Sequence, residues 1–304
     1  MGLGLLGLAA VVVLIHHVGS DAVWASLGPA LAYLPLVASL DLLRIASETL
    51  ATRLSLGSKS GDVPTLALFR AVLIGYATSS LAPAPRVVNE AIKGSVLAPR
   101  VGSAVATSSG LTMQAATLIS VGVFSIPCGA AIFALNHGSL WMWATAVHAV
   151  VLVATGVGLR ALSRAERPGR WLAEKLPSLK RGTEATFRHA RETGLFALGP
   201  SAALLGNRTA QVAQIAIAAA AVGIDVTGLR ALAAQGVNLI ANAVGVLVPG
   251  SLGATDGAFA MAADLLGTTT ARAAALALLL RCGQIVWLAI GSVVLVATGR
   301  KTQP

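Results

Sequence analysis

Charge is what this 304-residue chain has least of. Charged residues make up 11% and mean hydropathy is +0.79, against about 25% charged residues in an ordinary soluble domain. That shortage excludes a disordered chain and a soluble α/β enzyme. Cysteine is scarce too. Cys128 and Cys282 both sit in apolar runs, as small packing residues, which excludes a secreted disulfide scaffold. Aromatics are only 4%, so a stacking-lined pocket for a soluble solute has little to build on. No His/Cys/Asp/Glu grouping has metal-ligand spacing and no nucleotide-type phosphate loop occurs, so neither cofactor nor ATP drive is expected.

What is there in quantity is apolar sequence. Hydrophobic residues reach 56%. At roughly 20 apolar residues per crossing, the length leaves room for about ten crossings with short loops. The class is an all-α polytopic membrane protein. Formal net charge is +10, but 9 of the 22 Lys/Arg fall between Arg160 and Arg191. One basic loop in a greasy chain marks a cytoplasmic face against anionic lipid, not a nucleic-acid partner.

Apolar runs cover 3–18, 28–50 and 64–82. The second carries Asp41, Arg44 and Glu48 along one helical stripe, and the third carries Arg70. Residues 79–102 break the pattern with three prolines and several charged or amide side chains. Apolar runs resume over 102–126, extend past Pro127 to 136, and return at 141–159. Residues 160–193 are the long polar segment, where Trp171, Leu172, Leu176 and Leu179 suggest a short amphipathic surface helix. Runs at 195–222 and 227–248 precede a second broken stretch, 248–267, and a last run covers 270–298.

The two broken stretches resemble each other. The first reads Pro85, Glu90, Gly102 and the second Pro249, Asp256, Gly267. Each has a proline, an acid five to seven residues later, and a glycine eleven or twelve beyond the acid. The loop 51–62, the loop 160–193 and the C-terminus are all basic, hence all expected to be cytoplasmic. Parity then requires each broken stretch to count as one passage, and the two units are inverted. The expected architecture is about eight transmembrane helices plus two broken or re-entrant hairpins in one membrane domain, 1–304. A first unit covers about 64–159 and a second about 195–299. In inverted-repeat transporters the substrate meets such breaks near the midplane.

VLVPGSLGATDGAF followed by LLGTTTARAAALALLLRCGQIVWLAIG resembles the closing signature of the lysylphosphatidylglycerol synthase transmembrane-region family, also called flippase-like. Its Pro-Gly turn, acid, Gly and span arginine fall on Pro249, Gly250, Gly253, Asp256, Gly267 and Arg281. SSLAPAPRVVNEAIKGSVL resembles the family's first Pro-led turn, with Glu90 and Lys93 as its acid and base. Arg86 and Asn89 stand where the family has glycines, and position 256 is Asp where Glu is commoner. The resemblance implies a stand-alone translocase of the cell membrane. It implies lipid movement rather than lipid synthesis, hence no enzyme.

Ionisable groups inside a bilayer cost several kcal/mol unless paired or used. Arg86, Glu90 and Lys93 share one face of a short helix. They form either a polar wall for a lipid phosphate, with Asn89, or a self-satisfying ion ladder. Function is favoured there, because Pro83 and Pro85 expose the helix's positive N-terminal end. Gly250, Ser251, Gly253 and Thr255 make a small-residue turn whose N–H groups could hold an anion. Asp256 is either a charge partner or simply a helix cap. Arg70, Arg208 and Arg281 lie inside apolar runs, each facing either an acid or a lipid phosphate. The substrate-binding set is therefore Arg70, Arg86, Asn89, Glu90, Lys93, Arg208, Gly250, Ser251, Gly253, Asp256 and Arg281. The expected partners are membrane lipids, and Gly- and Ala-rich spans leave a homodimer open. The competing readings are a membrane-embedded lipid-modifying enzyme, with Glu90 and Asp256 as an acid pair, and a small-solute secondary transporter.

Overall fold

The computed structural model describes residues 2–80, 82, 84–166, 180–192 and 194–299. All regular structure among them is helical. We number the helices α1 (Gly2–Val18), α2 (Ser20–Ala30), α3 (Leu34–Ser55), α4 (Thr65–Ser79), α5 (Pro85–Val101), α6 (Ser103–Leu135) and α7 (Leu140–Arg164). The second half continues as α8 (Lys180–Glu192), α9 (Leu198–Ala221), α10 (Gly228–Val244), α11 (Ala254–Met261) and α12 (Thr270–Gly299). Five segments are long and apolar enough to cross a membrane: Ser20–Ser55, Ser103–Leu135, Leu140–Arg164, Gly228–Leu247 and Thr270–Thr298. The chain is an all-α polytopic membrane protein. The other apolar helices are short, like α4 with 15 residues, or interrupted by polar groups, like α9 with Asn207, Arg208, Gln211 and Gln214. Pro127 lies inside α6 without ending it. Trp171, Leu172, Leu176 and Leu179, read above as a surface helix, lie outside the described residues, as do Pro83 and the five C-terminal residues.

Small residues let these helices approach closely, which is how packing proceeds where lipid is as apolar as protein. Gly122 of α6 lies against the Ala149 carbonyl and Val153 of α7, and Gly156 of α7 lies against Ala115 and Ile119 of α6. A Cβ on either glycine would force the pair apart.

The packing repeats with a pseudo-twofold relation. α4 lies on α12 and α10 lies on α6, so the first helix of each broken hairpin packs on the long helix of the other half. α2 packs on α12 as α8 packs on α6. The relation centres on α3 and α9, which run antiparallel: Gly199 is beside Leu54, Gly206 beside Ser47, and Gln214 reaches Val37. Leu34 and Leu198, Arg44 and Arg208, and Pro85 and Pro249 are each 164 positions apart. Two antiparallel, equivalent helices require an axis across them, so the units are inverted.

Neither α4 nor α5 crosses alone. Leu97 and Val101 at the end of α5 pack with Leu56, Val63 and Leu68, near the loop that precedes α4. The pair is a hairpin that dips from one face and returns to it. Likewise Leu265 and Leu266, following α11, pack with Val222 and Ile224, near the loop that precedes α10. The expectation of 64–82 as a full crossing is corrected accordingly. A complete helix needs about 20 residues to cross, and α4 stops after 15 at the break. The parity is unaltered, because a dip and a return count the same as two passages. Ser58 donates to Glu192 Oε2 (3.0 Å), so the loop before α4 and helix α8 share a face.

Candidate functional site

The two breaks meet. Ala84 N–H donates to the Val246 carbonyl (3.1 Å), and Gly250 lies beside the Ser80 carbonyl. Ala84 has φ 50° and Gly250 φ 62°, so each chain turns through the left-handed region where it stops being helical. Glycine accepts that conformation freely; alanine does not. Because the hairpins come from opposite faces, their meeting point lies in the interior of the bilayer.

Polar side chains converge on this point from four helices. On α3 the stripe of Asp41, Arg44 and Glu48 turns inward. Arg44 Nη1 donates to Asp41 Oδ1 and to Gln214 Oε1 (3.2 Å), while Gln214 Nε2 donates to Asp41 Oδ2 (2.8 Å). Asn207 of α9 donates to the Arg44 carbonyl (3.0 Å). Glu48 Oε1 accepts from Asn89 Nδ2 (2.8 Å) and from Lys93 Nζ (3.0 Å) of α5. Lys93 also pairs with Glu90 Oε1 (2.6 Å). It is 1% exposed and contacts two carboxylates at once. Asn89 sits where it does because Gly75 of α4 leaves room for its side chain.

The second hairpin satisfies itself. Asp256 is 1% exposed. Its Oδ2 accepts from the Gly253 N–H (3.0 Å) and from Arg281 Nη2 (2.6 Å), and Arg281 Nη1 donates to the Gly250 carbonyl (3.3 Å). The Ser251 and Leu252 N–H groups donate to the Val248 and Pro249 carbonyls. Ser251 Oγ reaches Asn242 Oδ1 (3.3 Å).

Between these systems lies a cavity of about 230 Å³ whose wall includes Arg44, Glu48, Arg86, Asn89, Glu90 and Arg208. It shares Gln211, Asn238, Asn242 and Gln284 with a smaller chamber of about 30 Å³ at Thr255 and Arg281. Counting Asp41, Glu48 and Glu90 against Arg44, Arg86, Lys93 and Arg208, its surroundings carry one net positive charge. That excess is not spread evenly. Arg44 and Lys93 are paired. Arg86 makes no hydrogen bond or ion pair among the described residues. Arg208 bonds only the neutral Gln211 Oε1 (3.0 Å), and its Nε is buried without a partner, as are Arg44 Nε, Asn89 Oδ1 and Asn207 Oδ1. A buried donor left without an acceptor costs about 1–3 kcal/mol, more when charged. A phosphate oxygen is the acceptor that guanidinium groups suit best.

Of the residues singled out in the sequence, Arg86, Asn89, Glu90 and Arg208 stand together at the cavity. Lys93 does not: its ammonium is held by Glu48 and Glu90, and it is absent from the cavity wall. Ser251, Gly253 and Asp256 also fall outside the main cavity, and the Ser251, Leu252 and Gly253 N–H groups are spent on the turn itself and on the Asp256 carboxylate. Gly250 and Arg281 line only the smaller chamber. Arg70 is exposed on α4, away from the cavity. Its place five residues into the helix puts it near the membrane surface, where a long side chain reaches water. Sequence reasoning missed Glu48, Arg44 and Gln114. The first two carried a signal, the i, i+3, i+7 stripe on α3; Gln114, between alanines and a methionine, carried none.

A family model described as the lysylphosphatidylglycerol synthase transmembrane region matches residues 1–291. No curated protein and no solved structure matches the chain. The match covers both hairpins and the long helices that hold them, and by it the chain belongs to the lysylphosphatidylglycerol synthase transmembrane-region family.

Proposed function

We propose that this protein moves an intact phosphate-bearing lipid between leaflets. The head group enters the central cavity while the acyl chains stay in the bilayer. The observation that carries this reading is the pair Arg86 and Arg208, which face one interior cavity with no acid within ion-pair distance of either. Family membership supports a lipid as substrate. The inverted arrangement supplies a site that two opposed hairpins can each uncover. The same two arginines would hold any anionic or modified phospholipid, or a polyprenyl phosphate, by its phosphate. The loop before α4 and α8 share a face, and the basic composition of 51–62 and 160–193 supports a cytoplasmic assignment for it. Movement fits the site better than lipid chemistry does. Glu90 and Asp256, the acids an enzyme would use, are bound to Lys93 and Arg281, which leaves neither positioned as a free acid–base pair.

The test is transbilayer movement of a fluorescent phosphatidylglycerol in vesicles containing the purified protein. Wild type and Arg70→Ala should move lipid at the same rate. Arg86→Ala and Arg208→Ala should each slow it, since one charge-assisted hydrogen bond contributes about 1.5–3 kcal/mol. Equal rates in all four proteins, or no movement by wild type, would reject the reading.

A further inference from the structure

A groove of about 470 Å³ runs between α5 and α6. It begins beside Ala98 and Ser103, next to the turn at Gly102 that joins the two helices. It ends at Glu90 and Gln114, and both of these residues also line the polar cavity. Its wall between those ends is mostly small and apolar, with Ala91, Gly94, Ala106 and Gly110 beside the hydroxyls of Ser95 and Thr107. The two glycines keep it open: nothing but the Ala106 carbonyl and parts of Glu90 lies near a Cβ built on either. The outer rim is on the protein's lateral surface, where Val87 is 62% exposed. At the inner end Gln114 Nε2 is buried without a partner.

We propose that this groove seats one acyl chain of the transported lipid, with Glu90 and Gln114 framing the portal through which its head group passes into the cavity. The proposal rests on the translocase reading above. Three features together point to a chain rather than to a protein segment. The groove is largely apolar along its length, with Ser95 and Thr107 set among small apolar residues, it opens sideways where the bilayer lies, and it shares Glu90 and Gln114 with a cavity whose free groups are guanidinium donors. A phospholipid is apolar at one end and anionic at the other, in that order. The free Gln114 amide meets the junction of the two, where an ester carbonyl or a phosphate oxygen supplies the missing acceptor. Because α4 and α5 dip from the face of the loop before α4, the groove lies in that half of the bilayer. The seated lipid is therefore drawn from that leaflet.

The experiment uses the full chain in vesicles containing phosphatidylglycerol with a photoreactive diazirine midway along one acyl chain. Irradiation is followed by peptide mapping. Residues 87–111 should be labelled several-fold more than the exposed face of α7 around Val147 and Val150, which reports ordinary annular lipid. Gly94→Leu and Ala98→Phe, which fill the groove at different points, should each bring that labelling down to the α7 level. A groove labelled no more than α7, or labelling unchanged in both variants, overturns the proposal. Lipid movement measured in the same vesicles separates the two readings. Wild type that moves lipid with an unlabelled groove rejects the groove alone. A labelled groove in a protein that moves no lipid rejects translocation alone.

Discussion

In the α4–α5 hairpin Arg86 faces the cavity with no partner, whereas in the α10–α11 hairpin Arg281 is held by both oxygens of Asp256 and by the Gly250 carbonyl. The hairpins have the same topology and reach the same point from opposite faces. They differ in length beyond the break, 17 residues in α5 against 8 in α11, and in where their charge is spent. The second hairpin uses its acid to cap a short helix and to pin it to α12. The first uses its acid, together with Glu48 of α3, to hold Lys93, and leaves an arginine over. One repeat thus carries the free charge and the other is latched, although both descend from one pattern of proline, acid and glycine.

Substitutions that treat the two halves alike should therefore have unlike effects. The largest is expected at the latch. Asp256→Asn leaves Arg281 in the interior without its counter-charge, and breaking such a buried pair costs about 3–5 kcal/mol. Thermal unfolding in detergent should show it, and Asp256→Asn with Arg281→Gln should recover part of the loss. Arg86→Ala removes a charge that no acid contacts, Glu48 acting on it only across the cavity. It should leave the unfolding temperature unchanged or raised, while lipid movement falls by roughly tenfold or more, the equivalent of about 1.4 kcal/mol. If the two variants behaved the same in either measurement, the contrast between the hairpins would be lost. The smallest effect is expected at the breaks themselves. Gly250→Ala places a Cβ in the left-handed region and should cost about 1–2 kcal/mol. Ala84→Gly relieves the same strain in the other half, and should be neutral or stabilising by at most about 1 kcal/mol, because glycine also loosens the unfolded chain.

Much of this was legible in the chain. Pro85 and Pro249 mark the breaks, and the acid and glycine that follow each reveal the repeat, because a helix break in a bilayer needs those residue types. The family signature at Pro249, Gly250, Asp256 and Arg281 was equally plain, and these residues do form one unit. The sequence could not say how charges divide among partners. Lys93 and Arg86 lie on one face of one helix, and only the approach of Glu48 from α3 makes Lys93 a structural cation and Arg86 a free one. Asp256 read evenly as cap and as charge partner, and it is both, since Arg281 lies 25 positions on in a helix that returns past it. Arg70 looked as interior as Arg208 because both sit in apolar runs. A run's hydropathy does not report which side of a helix faces neighbours. The depth of α4 was hidden for a similar reason: the run 64–82 still holds Leu81 and Ala82, which lie past the end of the helix at Ser79.

The most direct test of the central claim, that two hairpins from opposite faces meet inside the bilayer, is a cross-link between their breaks. Ala84→Cys and Val246→Cys would be combined in a chain with Cys128→Ala and Cys282→Ala, and the protein oxidised, or treated with a short bis-thiol reagent, in native membranes. The hydrogen bond between these two residues places their backbones side by side, so efficient intramolecular cross-linking is predicted, with neither single variant reacting. Absence of a cross-link in the folded double variant would contradict the account.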